Sequence, residues 1–358
     1  MKKHLIAAAV AAAVVAPAAM AQQVTVYGVL DASFTTASDV GSASPSITQQ
    51  SVNSSLLSTS RIGFRGEEDL GGGLKAGFVL ETGITNDQAD VNAAGTESKF
   101  DFGDRGAEVF LNGGFGEVRI GKAATSDANI VCSGPTNLTN FAGSTTGGAV
   151  GCNTGTRPDN RVQYITPSMS GFKANIAYST QNTRAETLTE DTKKNGRYTN
   201  IGAEYSAGPL RVLAFQAQVE VDTAADATSG KLQDMGLLAR YDFGIANAQL
   251  RYVETKSKDI TAAIKVQTTA IDVGVPLGNG LSLGLGYLTA SNKETANADY
   301  DRTVVMLVKD LSKRTNVYAV YAKTSNDSGA NFGSGAAGVG TFNGQDPSLF
   351  GVGVRHSF

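Results

Sequence analysis

Through most of the chain apolar and polar residues alternate with a period of two, the repeat of β-strands whose two faces meet different surroundings. Leu281, Leu283, Leu285 and Tyr287 alternate with Ser282, Gly284 and Gly286; Met235, Leu237, Ala239, Tyr241 and Phe243 alternate with Asp234, Gly236, Arg240 and Asp242. In 60–67, Ile62 and Phe64 take one face and Arg61, Arg65 and Glu67 the other. In 74–83, Leu74, Ala76, Phe78 and Leu80 oppose Lys75, Gly77 and Glu81. Sixteen strand runs are predicted, at 24–34, 60–67, 74–83, 105–112, 117–122, 161–166, 172–179, 198–205, 210–220, 233–243, 247–254, 262–275, 281–289, 302–309, 315–323 and 349–358. Two of them, 210–220 and 262–275, alternate irregularly, which we assign to bulges or to subunit contact.

The connections fall into two kinds. Seven are short and turn-like (69–73, 113–116, 167–171, 207–209, 244–246, 276–280 and 310–314), and eight are longer and polar, among them 35–59, 84–104, 181–197 and 324–348. Fifteen connections sorted in this way fit sixteen strands running up and down, with turns at one end and loops at the other, as in a closed membrane barrel. A soluble sandwich has no reason to segregate its connections. Sixteen strands closed at the usual tilt enclose a lumen too wide for side chains to fill, so a polar inner face suits a water-filled channel. The expected fold is therefore all-β, a 16-stranded antiparallel transmembrane β-barrel. Tyr164, Tyr178, Tyr205, Tyr241 and Tyr252 lie near strand ends, where a membrane boundary favours such rings.

The longest connection, 122–161, is rich in Gly, Ser, Thr and Asn and holds both cysteines, Cys132 and Cys152. Structureless segments of this length inside a domain are usually functional. Its flanks are two-sided strands, with Val118 and Ile120 opposite Glu117 and Arg119 before it, and Val162 and Tyr164 opposite Arg161 and Gln163 after it.

The N-terminus adds the compartment. A basic Met1–His4, twelve apolar residues from Leu5 to Ala16 and the small-residue site Ala19-Met20-Ala21 describe a secretory signal peptide, 1–21, followed by a barrel domain, 22–358. Export and two cysteines twenty positions apart predict a Cys132–Cys152 disulfide, two unpaired thiols being the other reading. Without Lys2 and Lys3 the mature chain has 28 basic and 33 acidic side chains, a net charge of about −5 and no footprint for nucleic acid.

Catalysis finds little support. The mature chain has one histidine, His356, three residues from the end, so the usual imidazole arrangements of hydrolases cannot be built, and one histidine with scattered acids gives no metal-ligand spacing. Gly278-Asn279-Gly280 is a turn and not a phosphate cradle leading into a helix. No cofactor is expected. An adhesin solenoid would need a short internal repeat, which the chain lacks.

VTVYGVLD at 24–31, SRIGFRGEEDLGGGLKAG at 60–77, FGEVRIG at 115–121 and GVGVRHSF at 351–358 together resemble the trimeric general porins of Gram-negative outer membranes, especially those of β-proteobacteria. The resemblance implies a homotrimer set in outer-membrane lipid and lipopolysaccharide. The last strand resembles the signal read by the barrel assembly machinery, with Phe350, Val352, Val354 and Phe358 at alternate positions and His356 where the family often has an aromatic. It also implies that the third long loop, 122–161 here, folds into the lumen, faced by basic side chains of the wall. The residues that correspond are Arg61, Arg65, Arg105 and Arg157, with Lys75, Glu67, Arg119 and Arg161 as further lumen-lining candidates. Arg61 and Arg65 share the polar face of their strand. Asp127 and Asp159 are the loop's acids, too few for a strongly cation-selective constriction. The expected function is a general diffusion channel for ions and small hydrophilic solutes, weakly selective and leaning to anions, since rings of basic groups favour anions. A substrate-specific channel for sugars or organic anions is the alternative.

Overall fold

A computed structural model of the chain describes residues 24–41, 46–85, 102–133, 152, 154, 157–180, 196–221, 230–258, 263–333 and 341–358. The signal peptide expected at 1–21 lies outside the described residues. The strands are β1 (Thr25–Val40), β2 (Ile47–Ser54), β3 (Arg61–Gly71), β4 (Leu74–Gly83), β5 (Gly106–Gly113), β6 (Gly116–Lys122), β7 (Arg161–Ile165), β8 (Phe172–Ser179), β9 (Tyr198–Ala207), β10 (Leu210–Val221), β11 (Gly230–Asp242), β12 (Asn247–Lys258), β13 (Lys265–Gly278), β14 (Leu281–Asn292), β15 (Tyr300–Asp310), β16 (Thr315–Asn326) and β17 (Ser348–Ser357). One short helix, α1 (Ser126–Ser133), lies in the connection between β6 and β7.

β2 and β3 share one place in the wall. β2 pairs with β1 from Ala32 to Val40, and β3 pairs with it from Thr25 to Val29. The two pieces are one barrel strand interrupted at 55–60, so the wall is a closed sixteen-stranded antiparallel barrel. The expected loop at 35–59 is thus mostly strand: β1 runs on to Val40 and β2 returns beside it. Ser, Thr and Gln predominate on both of its faces, which hides the alternation while suiting a β backbone through the β-branched threonines. Elsewhere the tight turns and long connections fall at opposite ends, as expected.

Closure is made by β17 against β1, in register from Val29↔Ser357 to Ser38↔Ser348. Past the last pair, Gly28 N–H donates to the Phe358 carbonyl (3.2 Å) and Phe358 N–H returns a bond to Gly28 (3.1 Å). A Cβ on residue 28 would stand 2.3 Å from the Phe358 ring, so glycine lets the terminal aromatic lie flat over the seam. The outward face is apolar, with Leu30, Phe34, Val109, Ile120, Ile176, Leu250, Ile271, Phe350, Val352 and Val354 all exposed on it.

Inward residues are mainly polar or small, with two apolar exceptions. One cluster gathers Leu213, Phe215, Leu238, Val253 and Leu288 with Ala128, Val131 and Cys132 of α1. The other gathers Val40, Val304, Met306, Tyr318, Val320 and Leu349 with Leu56 from the interruption at 55–60. That interruption is tied down by Asp31, which is fully buried and accepts bonds from Leu57 N–H (2.7 Å), Ser58 N–H and the Tyr318 hydroxyl (2.6 Å). A buried carboxylate needs such donors, and losing one costs on the order of 1–3 kcal/mol. Tyr318→Phe is therefore expected to lower the urea midpoint of the folded barrel in detergent by that order of stability, with Tyr321→Phe on the outward face as the unaffected control; equal midpoints would remove this role from Tyr318.

Candidate functional site

α1 rests on inward-facing residues of the wall. Asp127 in its first turn accepts bonds from the Asn175 amide (2.8 Å) and the Asn200 amide (3.4 Å), and the Val131 carbonyl accepts one from Arg251 (3.2 Å). Gly202 on β9 makes room for it, because a Cβ there would lie 1.7 Å from an Asp127 oxygen. This explains the irregular alternation of β10. Its pairing with β9 and β11 is continuous and free of bulges; Leu213 and Phe215 point inward because α1 covers them. In β13 a register shift does occur, at Pro276/Gly278, but at the turn end of the strand.

Covalent and polar ties fasten the same connection. Cys132 and Cys152 form a disulfide, their Cα atoms 5.8 Å apart. Thr154 donates through its backbone N–H and its hydroxyl to one oxygen of buried Asp234, both at 2.7 Å. Lys122 and Asp159 pair across the two ends at 2.9 Å, and Arg161 donates to the Ala124 carbonyl at 2.9 Å.

A second group lies on β1, β3 and β4. Arg61 and Arg105 approach opposite oxygens of Glu81, at 3.4 and 2.8 Å, and the Tyr27 hydroxyl also donates to that carboxylate at 3.1 Å. Arg65 stacks over the Tyr27 ring, 5.4 Å from its centre, within the range of a cation–π contact. Arg157, arriving from the long connection, stands within electrostatic reach of Arg105, Glu81, Asp104 and Arg61; burial first, and then the Arg105 charge, pull its guanidinium below its ordinary value. With Arg355 nearby, five guanidiniums share this region with three carboxylates, Glu81, Asp104 and Asp31.

The other sequence-predicted residues separate from this group. Arg161 is fully buried and, with Arg119, grips Glu108. Arg119 also bonds Glu117 and lies over the Phe110 ring. Lys75 pairs with Glu67 at 2.6 Å beside the β3–β4 turn, with both side chains nearly half exposed. Asp127 is 2 % exposed and Asp159 is paired, so neither presents a bare carboxylate. The alternation of single strands gave no sign of Glu108, Asp234 or Gly202, because each acquires its role from a partner dozens of positions away.

The family model for Gram-negative porins matches residues 7–329. The chain belongs to the Gram-negative porin family. It is 34% identical to Outer membrane porin protein 32 of Delftia acidovorans over 369 residues, covering 100% of both chains. To the Major outer membrane protein P.IB of Neisseria meningitidis serogroup B it is 27% identical over 373 residues, again with 100% of both covered. Among solved structures, the anion-selective porin from Comamonas acidovorans superposes with a TM-score of 0.78 at 29% identity, covering 94% of this chain and 100% of that one. As a porin, the protein is an outer-membrane barrel whose outward apolar residues face lipid and whose long connections face the cell exterior.

In this porin the seating of α1 carries a pH dependence. Burial pushes the Asp127 carboxyl above the usual carboxylate range, against the opposing bonds from Asn175 and Asn200. A carboxyl raised in the docked state contributes stability that is fully present below its ordinary value and is lost as pH rises through the raised one. Amide exchange of α1, corrected for intrinsic rate, is therefore expected to slow as pH falls from neutral towards the ordinary carboxylate range. Asp127→Asn should flatten that dependence; an unchanged slope in the variant would assign it elsewhere.

Proposed function

We propose that this porin is a general diffusion channel for ions and small hydrophilic solutes, weakly selective for anions, and that 122–161 lies across its lumen and sets the aperture. The observation that carries the reading is the meeting of Arg61, Arg65, Arg105 and Arg157 around Glu81, while both loop acids are occupied. An ion responds to the field where it passes, so this local excess of guanidinium outweighs the net negative charge of the chain. No chemical step is required of any residue. The anion selectivity of the Comamonas structure agrees with this sign. Three such barrels would associate through the outward faces of the first strands, where Gly28 and Ala32 keep the surface slim, within outer-membrane lipid and lipopolysaccharide and after delivery by the assembly machinery that reads the last strand.

Two measurements test the reading. In planar bilayers under a KCl gradient, the native protein should give a reversal potential favouring chloride, and Arg61→Gln/Arg105→Gln/Arg157→Gln should carry it to zero or to the cation side. A triple variant that keeps the native potential would take selectivity away from these residues. Gly202→Val, which denies Asp127 its seat, should raise single-channel conductance if the loop sets the aperture; an unchanged conductance with α1 demonstrably displaced would reject that part. Conductance that saturates with solute would favour the substrate-specific alternative.

A further inference from the structure

The inner wall is hollowed at its short-turn end. A recess of about 340 Å³ opens there, a size at which small molecules are held in sites of about 300–1,000 Å³. Five strands meet around it, because Asp242 stands opposite Asn247, Asn247 opposite Gly274, Gly274 opposite Gly284 and Gly284 opposite Met306. Two glycines side by side make the wall thin at this level. Met306 and Val308, at the margin of the second apolar cluster, give the hollow a dry side, and Arg240 and Asp242 stand across from them.

These two opposite charges face one cavity without meeting. They lie two positions apart on the same face of β11, their Cα atoms about 7 Å from each other at the usual rise. Among the described residues the Arg240 guanidinium has no ion pair and no hydrogen bond. One oxygen of Asp242 accepts from Gly244 N–H in the turn (2.8 Å), which ties the carboxylate away from Arg240, and its other oxygen takes no bond among the described residues. The charges around them are committed elsewhere. Arg211, directly opposite Arg240, pairs with Glu204 at 2.8 Å, and buried Asp272 accepts from the Gln249 amide at 3.3 Å. What remains is a cation and an anion held apart beside an apolar surface, all three open to the same space.

We propose that this recess binds an α-amino acid with an apolar side chain, its carboxylate on Arg240, its ammonium on Asp242 and its side chain against Met306 and Val308. The proposal rests on the reading of the inner wall as the lining of a passage, which brings small hydrophilic solutes to it. Charge selects a zwitterion: a simple anion drawn to Arg240 is repelled by Asp242, and a simple cation meets the reverse. Spacing selects charges borne on one carbon, since a carboxylate and an ammonium that close together bridge two side chains a single strand repeat apart. A guanidinium suits the carboxylate end, because it donates two parallel hydrogen bonds to that group. The dry side of the hollow then favours an apolar branch over glycine, which has nothing to place there.

The test uses the full-length folded protein in neutral detergent, with L-leucine as the probe and saturation-transfer NMR as the readout, corrected for detergent alone. On the native protein, leucine should bind at least about tenfold better than 4-methylpentanoate, which lacks the ammonium, and than 3-methylbutylamine, which lacks the carboxylate, the loss that follows from one missing charge-assisted hydrogen bond. It should also bind better than glycine and than its isomer 6-aminohexanoate, whose charges sit at opposite ends. Arg240→Gln and Asp242→Asn should each lower leucine binding by a similar factor, and Lys309→Gln at the same end of the barrel should leave it unchanged. Equal binding of 4-methylpentanoate and leucine would reduce the recess to an anion site and overturn the proposal, as would equal binding of 6-aminohexanoate. So would full leucine binding by the Arg240→Gln/Asp242→Asn double variant. Conductance measured on the same samples keeps the two readings apart: leucine binding without channels would count against the pore and leave the site standing, whereas channels without leucine binding would reject the site alone.

Discussion

A wall that crosses lipid cannot leave a peptide N–H or C=O unpaired, because hydrocarbon offers nothing to bond with. In this chain the requirement is met only when β17 meets β1, and the rest of the architecture follows from that seam. The ladder there extends beyond the last paired residues through the reciprocal bonds of Gly28 and Phe358, so that the terminus itself completes the hydrogen bonding. An edge left open at this place would be a template for pairing with another chain. Closure also divides every strand into a face towards lipid and a face towards the interior, and that division turns alternation in the sequence into chemistry in the channel.

Among the described residues the interior is apolar chiefly where the chain folds back over itself. α1 and the Cys132–Cys152 pair cover Leu213, Phe215 and Leu238; Leu56 covers Val320 and Leu349. Along the wall the acids are drawn into bonds with the chain itself. Glu108 is spent on Arg119 and Arg161, Asp234 on Thr154, and Asp127 on two amides, whereas the single carboxylate Glu81 serves Arg61, Arg105 and Tyr27 together. The sign of the proposed selectivity comes from this unequal distribution and not from composition.

Much of the wall was legible because its signal is local. The faces of β3, β4, β11 and β14 could be read from residues two apart, and Arg61 and Arg65 could be set on the inner face with no partner in view. Where both sides of a strand are largely polar, as in 47–54, parity carries little information and the hairpin stayed hidden. β10 misled for the opposite reason: its inner face is apolar because a helix some eighty positions earlier lies on it, and a local pattern cannot report a covering element. The same limit applied to the site. Arg161 reads as a lumen cation until Glu108 and the Ala124 carbonyl are seen to enclose it, and Asp127 reads as a pore acid until Gly202 is seen to admit it.

The direction of those long-range contacts bears on how the molecule is put together. α1 precedes in the chain every strand that supports it, since Asn175, Asn200, Gly202, Phe215, Leu238 and Arg251 all follow it. It has no surface to settle on until those strands stand side by side. The disulfide, by contrast, spans only twenty positions and needs no wall. The loop can thus be cross-linked as a small ring before the strands assemble, and the strands, once side by side, receive it as a preformed insert.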